Sequence, residues 1–244
     1  MARIFLELSY CGTAYHGWQI QPNATTVQGL LDGALTKIYG TPLHSSGCSR
    51  TDAGVHARRF YCHFDTDKPF ELSRLPDALN SQLPRDISVL DAKEVSEEMH
   101  SRFSVKNKTY EYLIWNEKRR NALYCDKALH YPYALNVEAM KKGAKYFEGT
   151  HDFSAFMAQG SQVSTTVRTV FSAKVEEKDG FLCFSVTGDG FLYNMVRIMV
   201  GTVLYVGQGK IAPEDIPDII ASGDRTKAGP TAEPVGLYLA KVEY

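Results

Sequence analysis

Residues 166–189, TVRTVFSAKVEEKDGFLCFSVTGD, decide the fold. Two runs of strand-forming residues flank Asp179-Gly180. An Asp-Gly pair between such runs is the strongest short hairpin signal, because both central residues of the favoured turn need positive φ. The stretch that follows, FLYNMVRIMVGTVLYVG at 191–207, is apolar nearly all round and predicts a buried helix. Upstream, RFSVKNKTYEYLIWN at 102–116 reads as one long strand. Asn136 then caps a helix with Val137, Met140, Ala144 and Phe147 inward and Gly149 as its stop. Pro213 opens a short further helix, and GLYLAKVEY at 236–244 closes with a strand. The order is β-α-β-β-α-β.

The first part of the chain carries the same order. RIFLELSY at 3–10 reads as a strand. In TTVQGLLDGALTKIYG at 25–40, Val27, Leu30, Leu31, Ala34, Leu35 and Ile38 share one helical face, with Thr25 or Thr26 as N-cap and Gly40 at the end. LHSSGCS at 43–49 and ARRFYCHFD at 57–65 read as strands, a helix runs from Ser73 to about Leu83, and DISVLDAKEV at 86–95 is a strand. Two such copies predict an α+β protein of two ferredoxin-like, RRM-like halves, with a central mixed, mostly antiparallel sheet and a cleft between the halves. The boundary is expected near residues 97–103, giving an N-terminal half 1–100 and a C-terminal half 101–244.

Composition narrows the class. Apolar content of 44% and charged content of 23% suit a soluble globular chain. The five cysteines are odd in number, widely spaced and lack C-x-x-C, which argues for a reducing compartment and against a disulfide framework. The first ten residues alternate like a strand, unlike a secretory signal, and the longest apolar run contains Asn194 and Arg197. A cytoplasmic protein with no membrane association is expected. Net charge is −1, but residues 101–120 hold six Lys/Arg against two acids, while residues 65–98 hold four against nine. A local basic patch is enough for an electrostatic footprint on a polyanion.

Three features carry candidate chemistry. In GCSRTDAGVHARRFYCHF at 47–64, one acid, Asp52, lies among Arg50, Arg58, Arg59, His56 and His63. The simpler reading is an Asx turn, with the side chain bonding the backbone ahead of Gly54. The functional reading is a carboxylate kept ionised by neighbouring guanidinium groups, ready as a nucleophile. Arg197 lies inside the apolar helix and needs a partner, since an unpaired buried charge is very costly; snorkelling or a structural acid would supply one, and so would Asp52. On the strand NKTYEYLIWN, Tyr110, Tyr112 and Ile114 share a face. That face reads as core, and a tyrosine after Lys106 and Lys108 also suits stacking on a nucleobase. Other motifs fail: GQGK at 207–210 lacks the first glycine and the final Ser/Thr of a P-loop, Asp52-Ala53-Gly54 has no second copy to form a carboxylate dyad, and the seven histidines show no metal-ligand spacing.

With these residues in view, the sequence resembles the bacterial-type tRNA pseudouridine synthase A family nearly end to end. The resemblance rests on YCGTAYHGWQIQP at 10–22, SRTDAGVHA at 49–57, LPDALNSQLPRDI at 75–87, SRFSVKNKTYEYLIWN at 101–116, GTHDFSAF at 149–156, GDGFLYNMVRIMVGTVLYVGQG at 188–209 and GLYLAKVEY at 236–244. It implies the pseudouridine synthase fold and a homodimeric isomerase that converts uridine to pseudouridine at positions 38, 39 and 40 of the tRNA anticodon stem-loop. It also implies that no metal and no organic cofactor take part. By motif matching, Asp52 is the nucleophile, Tyr110 stacks on the target uracil, Arg197 pairs with Asp52, and Arg50 and Arg58 touch RNA. The alternatives are a synthase of the same fold acting on another RNA, and a non-catalytic RNA-binding protein on two RRM-like halves.

Overall fold

A computed structural model describes residues 1–160 and 163–244. Strand β1 (Ala2–Tyr10) leads to α1 (Val27–Tyr39), then β2 (Ser46–Gly47), β3 (His56–Thr66), α2 (Leu75–Asn80) and β4 (Ile87–Val95). After these come β5 (Asn107–Trp115), β6 (Leu129–His130), α3 (Val137–Lys145), β7 (Gly149–Asp152), β8 (Val167–Lys178), β9 (Phe181–Gly188), α4 (Met195–Gly207), α5 (Ile216–Ser222) and β10 (Leu237–Glu243). The chain is α+β, as its patterning requires, and most of its strand pairs are antiparallel. It forms two compact units, Met1–Lys106 with Tyr238–Tyr244, and Asn107–Leu237. The closing strand, which sequence order groups with the C-terminal half, thus lies almost wholly in the first unit.

In the first unit the strands run β4-β1-β3. β3 carries β2 antiparallel at Cys62 and His63, and β10 parallel at His56 and Ala57. This is the ferredoxin-like order with a short β2. Leu6 and Leu8 of β1, Phe60 and Phe64 of β3, Leu31 and Leu35 of α1 and Leu75 of α2 are fully buried together. The expected cap of α1 is present: Thr26 accepts from the Gly29 N–H, and Gly40 ends the helix at φ 67°. α2 is shorter than its sequence suggests. Leu72–Arg74 form a 3₁₀ turn ahead of it, and Pro76 fixes the start of the α-helix.

In the second unit the order is β5-β9-β8-β7, with β6 on β5. The β8–β9 hairpin closes on Asp179 (φ 51°) and Gly180 (φ 82°), both left-handed as the type I′ turn demands. α4 is buried over nearly its whole length, and Gly201 meets the backbone of Pro230 so closely that a Cβ would sit 1.7 Å from the Pro230 oxygen. β5 begins at Asn107, five residues later than its sequence suggests, because residues 101–104 form a turn.

Candidate active site

Asp52 lies between β2 and β3 on a turn closed by a backbone hydrogen bond. The Val55 N–H donates to the Asp52 carbonyl at 3.2 Å, and Gly54 takes φ 77°, which only glycine adopts freely. An Asx turn would use the Gly54 N–H, but that group donates to the Tyr15 carbonyl at 3.1 Å. The half-buried carboxylate is flanked by buried Thr51 and Val55.

Segment 10–18 grips this loop from outside. The Trp18 N–H donates to the Thr51 carbonyl at 3.2 Å, and the Tyr10 hydroxyl meets Thr51 Oγ1 at 2.8 Å. Two glycines let the chains touch: a Cβ on Gly12 would lie 1.9 Å from the Val55 oxygen, and one on Gly17 (φ 83°) would lie 2.3 Å from the Thr51 oxygen. Backbone packed on backbone has no rotamers to lose, so the turn that presents Asp52 is rigid. Sequence reasoning assigned no role to Gly12, Gly17 or Tyr10. The only signal for them was two glycines spaced around aromatic residues in YCGTAYHGW.

The cations near Asp52 in sequence divide by role. His56 is buried, and its Nδ1 accepts the Gly12 N–H at 3.0 Å, so it ties the loop to segment 10–18. His63 is buried, with Nδ1 accepting the Ser101 N–H at 3.2 Å; burial pushes its pKa down to about 4, with His100 and Arg3 adding to the shift and Asp65 opposing it. Arg59 pairs with Glu7 at 2.8 Å. Arg50 and Arg58 are exposed, as is Arg59. Arg58 lies 4.9 Å over the ring of Tyr238, which stacks on His56 at 4.7 Å with 25° between planes. Burial pushes the Tyr238 hydroxyl up to about 12, with Arg58 opposing the shift.

Tyr110 and Arg197 belong to the second unit. On β5, Tyr110, Tyr112 and Ile114 are buried and alternate with half-buried neighbours, the pattern of a one-sided strand. The Phe191 and Tyr110 rings pack edge to face, with centroids 5.2 Å apart and 87° between planes. Arg197 leaves the mostly buried α4 on its partly exposed side. Its Nε donates to the Ala232 carbonyl at 2.7 Å and Nη1 to Asn194 Oδ1 at 2.8 Å. Asn194 holds φ 59° at the start of α4, a left-handed position that asparagine tolerates. The next carbonyl, that of Glu233, accepts the Tyr112 hydroxyl at 2.7 Å. Burial raises the pKa of that hydroxyl, with the nearby Arg197 charge opposing. Residues 232–233 thus hold the guanidinium and the buried phenol side by side, a support that sequence reasoning missed.

Among the described residues no three His, Cys, Asp or Glu side chains group as metal ligands, and no helix is long and apolar enough to cross a membrane.

Comparison with known proteins gives one answer. A family model described as "tRNA pseudouridine synthase" matches residues 8–104 and 144–244. A protein named tRNA pseudouridine synthase A from Thermoanaerobacter sp. (strain X514) is 48% identical over 244 residues, covering 100% of both chains. Relatives of the same name from Ruminiclostridium cellulolyticum and Clostridium acetobutylicum are 48% and 45% identical, again over 100% of both chains. The first match spans the Asp52 loop and its glycine clamp, the second α4 and β10. The chain belongs to the tRNA pseudouridine synthase family.

Proposed function

We propose that this protein isomerises uridine to pseudouridine at positions 38, 39 and 40 of the tRNA anticodon stem-loop, with Asp52 as nucleophile. The observation that carries the reading is the Asp52 turn. Backbone groups close it and two glycines clamp it, so the loop that presents the carboxylate is rigid. A carboxylate presented on a rigid loop, within the segment that the family model matches, is suited to chemistry.

The reaction breaks the bond from uracil N1 to ribose C1′ and makes one from C5 to C1′. The proton lost from C5 is balanced by one gained at N1. The target nucleotide must leave its stack to be reached. Asp52 acts on it as nucleophile at C1′ or at C6; on a glycal route the same carboxylate would take the C2′ proton instead. Arg197 aims the carboxylate and offsets its charge. The two bonds that fix its guanidinium to Ala232 and Asn194 support that role, because a fork already anchored loses little freedom on pairing. Tyr110 faces the loosened uracil, so that the base turns in place of escaping. Arg50 and Arg58 meet phosphate, which their exposure supports. A cytoplasmic homodimer working on tRNA completes the proposal, on the strength of the family resemblance.

The test is purified protein on anticodon stem-loop RNA and on ribosomal RNA fragments, with pseudouridine mapped in each. Product at 38–40 of tRNA alone supports the reading. Product in ribosomal RNA alone would replace the substrate, and tRNA binding with no product anywhere would replace the enzyme with a binding protein.

A further inference from the structure

The turn at residues 100–104 is built more firmly than a connection needs. Ser101 is fully buried; its hydroxyl donates to the Ser46 carbonyl and its own carbonyl accepts the Tyr244 hydroxyl at 2.7 Å. His100 Nδ1 accepts the N–H groups of Arg102 at 3.0 Å and Phe103 at 3.3 Å. The Ser104 N–H returns to the His100 carbonyl at 3.0 Å, and the His100 N–H donates to Ser104 Oγ at 3.0 Å.

This rigid turn holds an aromatic ring out into solvent. Phe103 is 78% exposed, more than any other large hydrophobic side chain among the described residues. One side of its ring rests on His100 at 4.4 Å and 35°, and the Arg102 guanidinium stands 5.7 Å from the ring centroid. Arg50, two residues before Asp52, lies close enough for its charge to act on Arg102. Desolvation first, and then that repulsion, lower the Arg102 pKa, and no acid offsets them. An exposed ring forgoes burial, and the Arg50 charge acts against that of Arg102. Both costs are recovered by a ligand that brings a flat π-face and an anion together, as a nucleotide does. A second copy of this chain fits less well, since a stable protein interface needs on the order of 800 Å² per partner with an apolar centre, and this ring stands among cations.

We propose that Phe103, Arg102 and Arg50 form a stacking step for one nucleotide of the tRNA other than the target uridine, with Phe103 against the base and the guanidinium groups on its phosphate. The proposal rests on the tRNA reading above and extends the RNA contact of Arg50 to two residues with no assigned role. The step binds substrate and takes no part in bond making.

The experiment compares full-length wild type with Phe103→Ala, Phe103→Leu, Phe103→Tyr and Arg102→Ala on a full-length tRNA transcript. Kd is measured over a salt series, with steady-state pseudouridine formation and Tm on the same preparations. Alanine at 103 is expected to raise Kd and KM about 5- to 150-fold, the usual range for one lost base stack, with kcat at saturating tRNA and Tm near wild type. Tyrosine should bind as wild type does. Leucine keeps the bulk without the π-face and should resemble alanine; it carries the same test where the alanine variant does not fold. Arg102→Ala should weaken binding and reduce the salt slope by about one. Unchanged Kd for both Phe103→Ala and Phe103→Leu, beside an active wild type, would overturn this proposal alone. So would a changed oligomeric state in sedimentation with tRNA affinity intact. A wild type that binds no tRNA would overturn the tRNA reading and this proposal with it.

Discussion

The Asp52 loop and the Arg197 helix position a charged group in opposite ways. At Asp52 the backbone is fixed: carbonyls of Tyr15 and Asp52 take the turn N–H groups, and Gly12 and Gly17 lie against Val55 and Thr51. At Arg197 the side chain itself is fixed, by the Ala232 carbonyl and Asn194 Oδ1, on a helix that is mostly core. A short side chain such as aspartate has few torsions, so holding its Cα nearly holds its oxygens. A long arginine keeps its freedom unless its own nitrogens are bound. The placement of each group should therefore fail through different substitutions.

Gly12→Ala attacks the backbone-held site and should have the larger effect. Its Cβ would meet the Val55 oxygen at 1.9 Å, and backbone cannot rotate away. Overpacking of this kind costs about 1–3 kcal/mol, read by urea denaturation. A shift of about 1 Å in the loop lowers kcat by roughly 100-fold, read by pseudouridine formation. Full activity with full stability would show that the clamp does not position Asp52. Arg197→Lys attacks the side-chain-held site. It keeps the charge and loses the planar fork, so one anchor goes and the proposed pairing with Asp52 is weakened. The expected loss is smaller, on the order of tenfold in kcat and about 1–2 kcal/mol in stability.

Tyr110 sharpens the comparison because the role proposed for it depends on a ring more than on a charge. Tyr110→Phe should keep most activity, and Tyr110→Ala should lose it together with placement of the base. Equal loss in both variants, with folding and tRNA binding intact, would make the hydroxyl a proton-transfer group.

How far this was legible in the sequence differs between the two regions. α4, the Asp179-Gly180 hairpin and the Thr26 cap all follow from local periodicity and turn chemistry, although α4 begins at Met195, four residues later than the pattern suggests. Asp52 and Arg197 stood out as charges in unlikely settings. Their supports did not, because contact between Gly12 and Val55, or between Arg197 and Ala232, joins residues 43 and 35 positions apart, which no local pattern encodes. The late start of β5 has a similar cause. Residues 101–104 have strand-like composition, but the bonds of Ser101 to Ser46, His63 and Tyr244 hold them in a turn. Asp32 likewise sits on the inner side of α1, where its carboxylate accepts from the Ser45 N–H and hydroxyl and steadies the chain entering β2.

A last effect, independent of the site, is on pH stability. His63 is neutral in the fold, with a pKa near 4, below its ordinary value, and His100 is shifted the same way. A base whose folded pKa is depressed binds more protons when unfolded. Stability is therefore full above about pH 6.5 and falls as pH drops toward 4, by at most about 1.4 kcal/mol per pH unit for one group. Tm measured from pH 7 to pH 4.5 should decline, and His63→Gln should flatten that decline. An identical slope in the variant would remove His63 as its source.

The central claim is that the Asp52 carboxylate does chemistry and is not there to shape its turn. Asp52→Asn is nearly isosteric and keeps an oxygen able to accept a hydrogen bond. The measurement is tritium release from C5-labelled uridine in tRNA, beside a binding titration of the same preparation. The account predicts a folded variant that binds tRNA at least as tightly as wild type, since a negative charge near phosphate is gone, and that releases no tritium. Near-wild-type release by Asp52→Asn would contradict it.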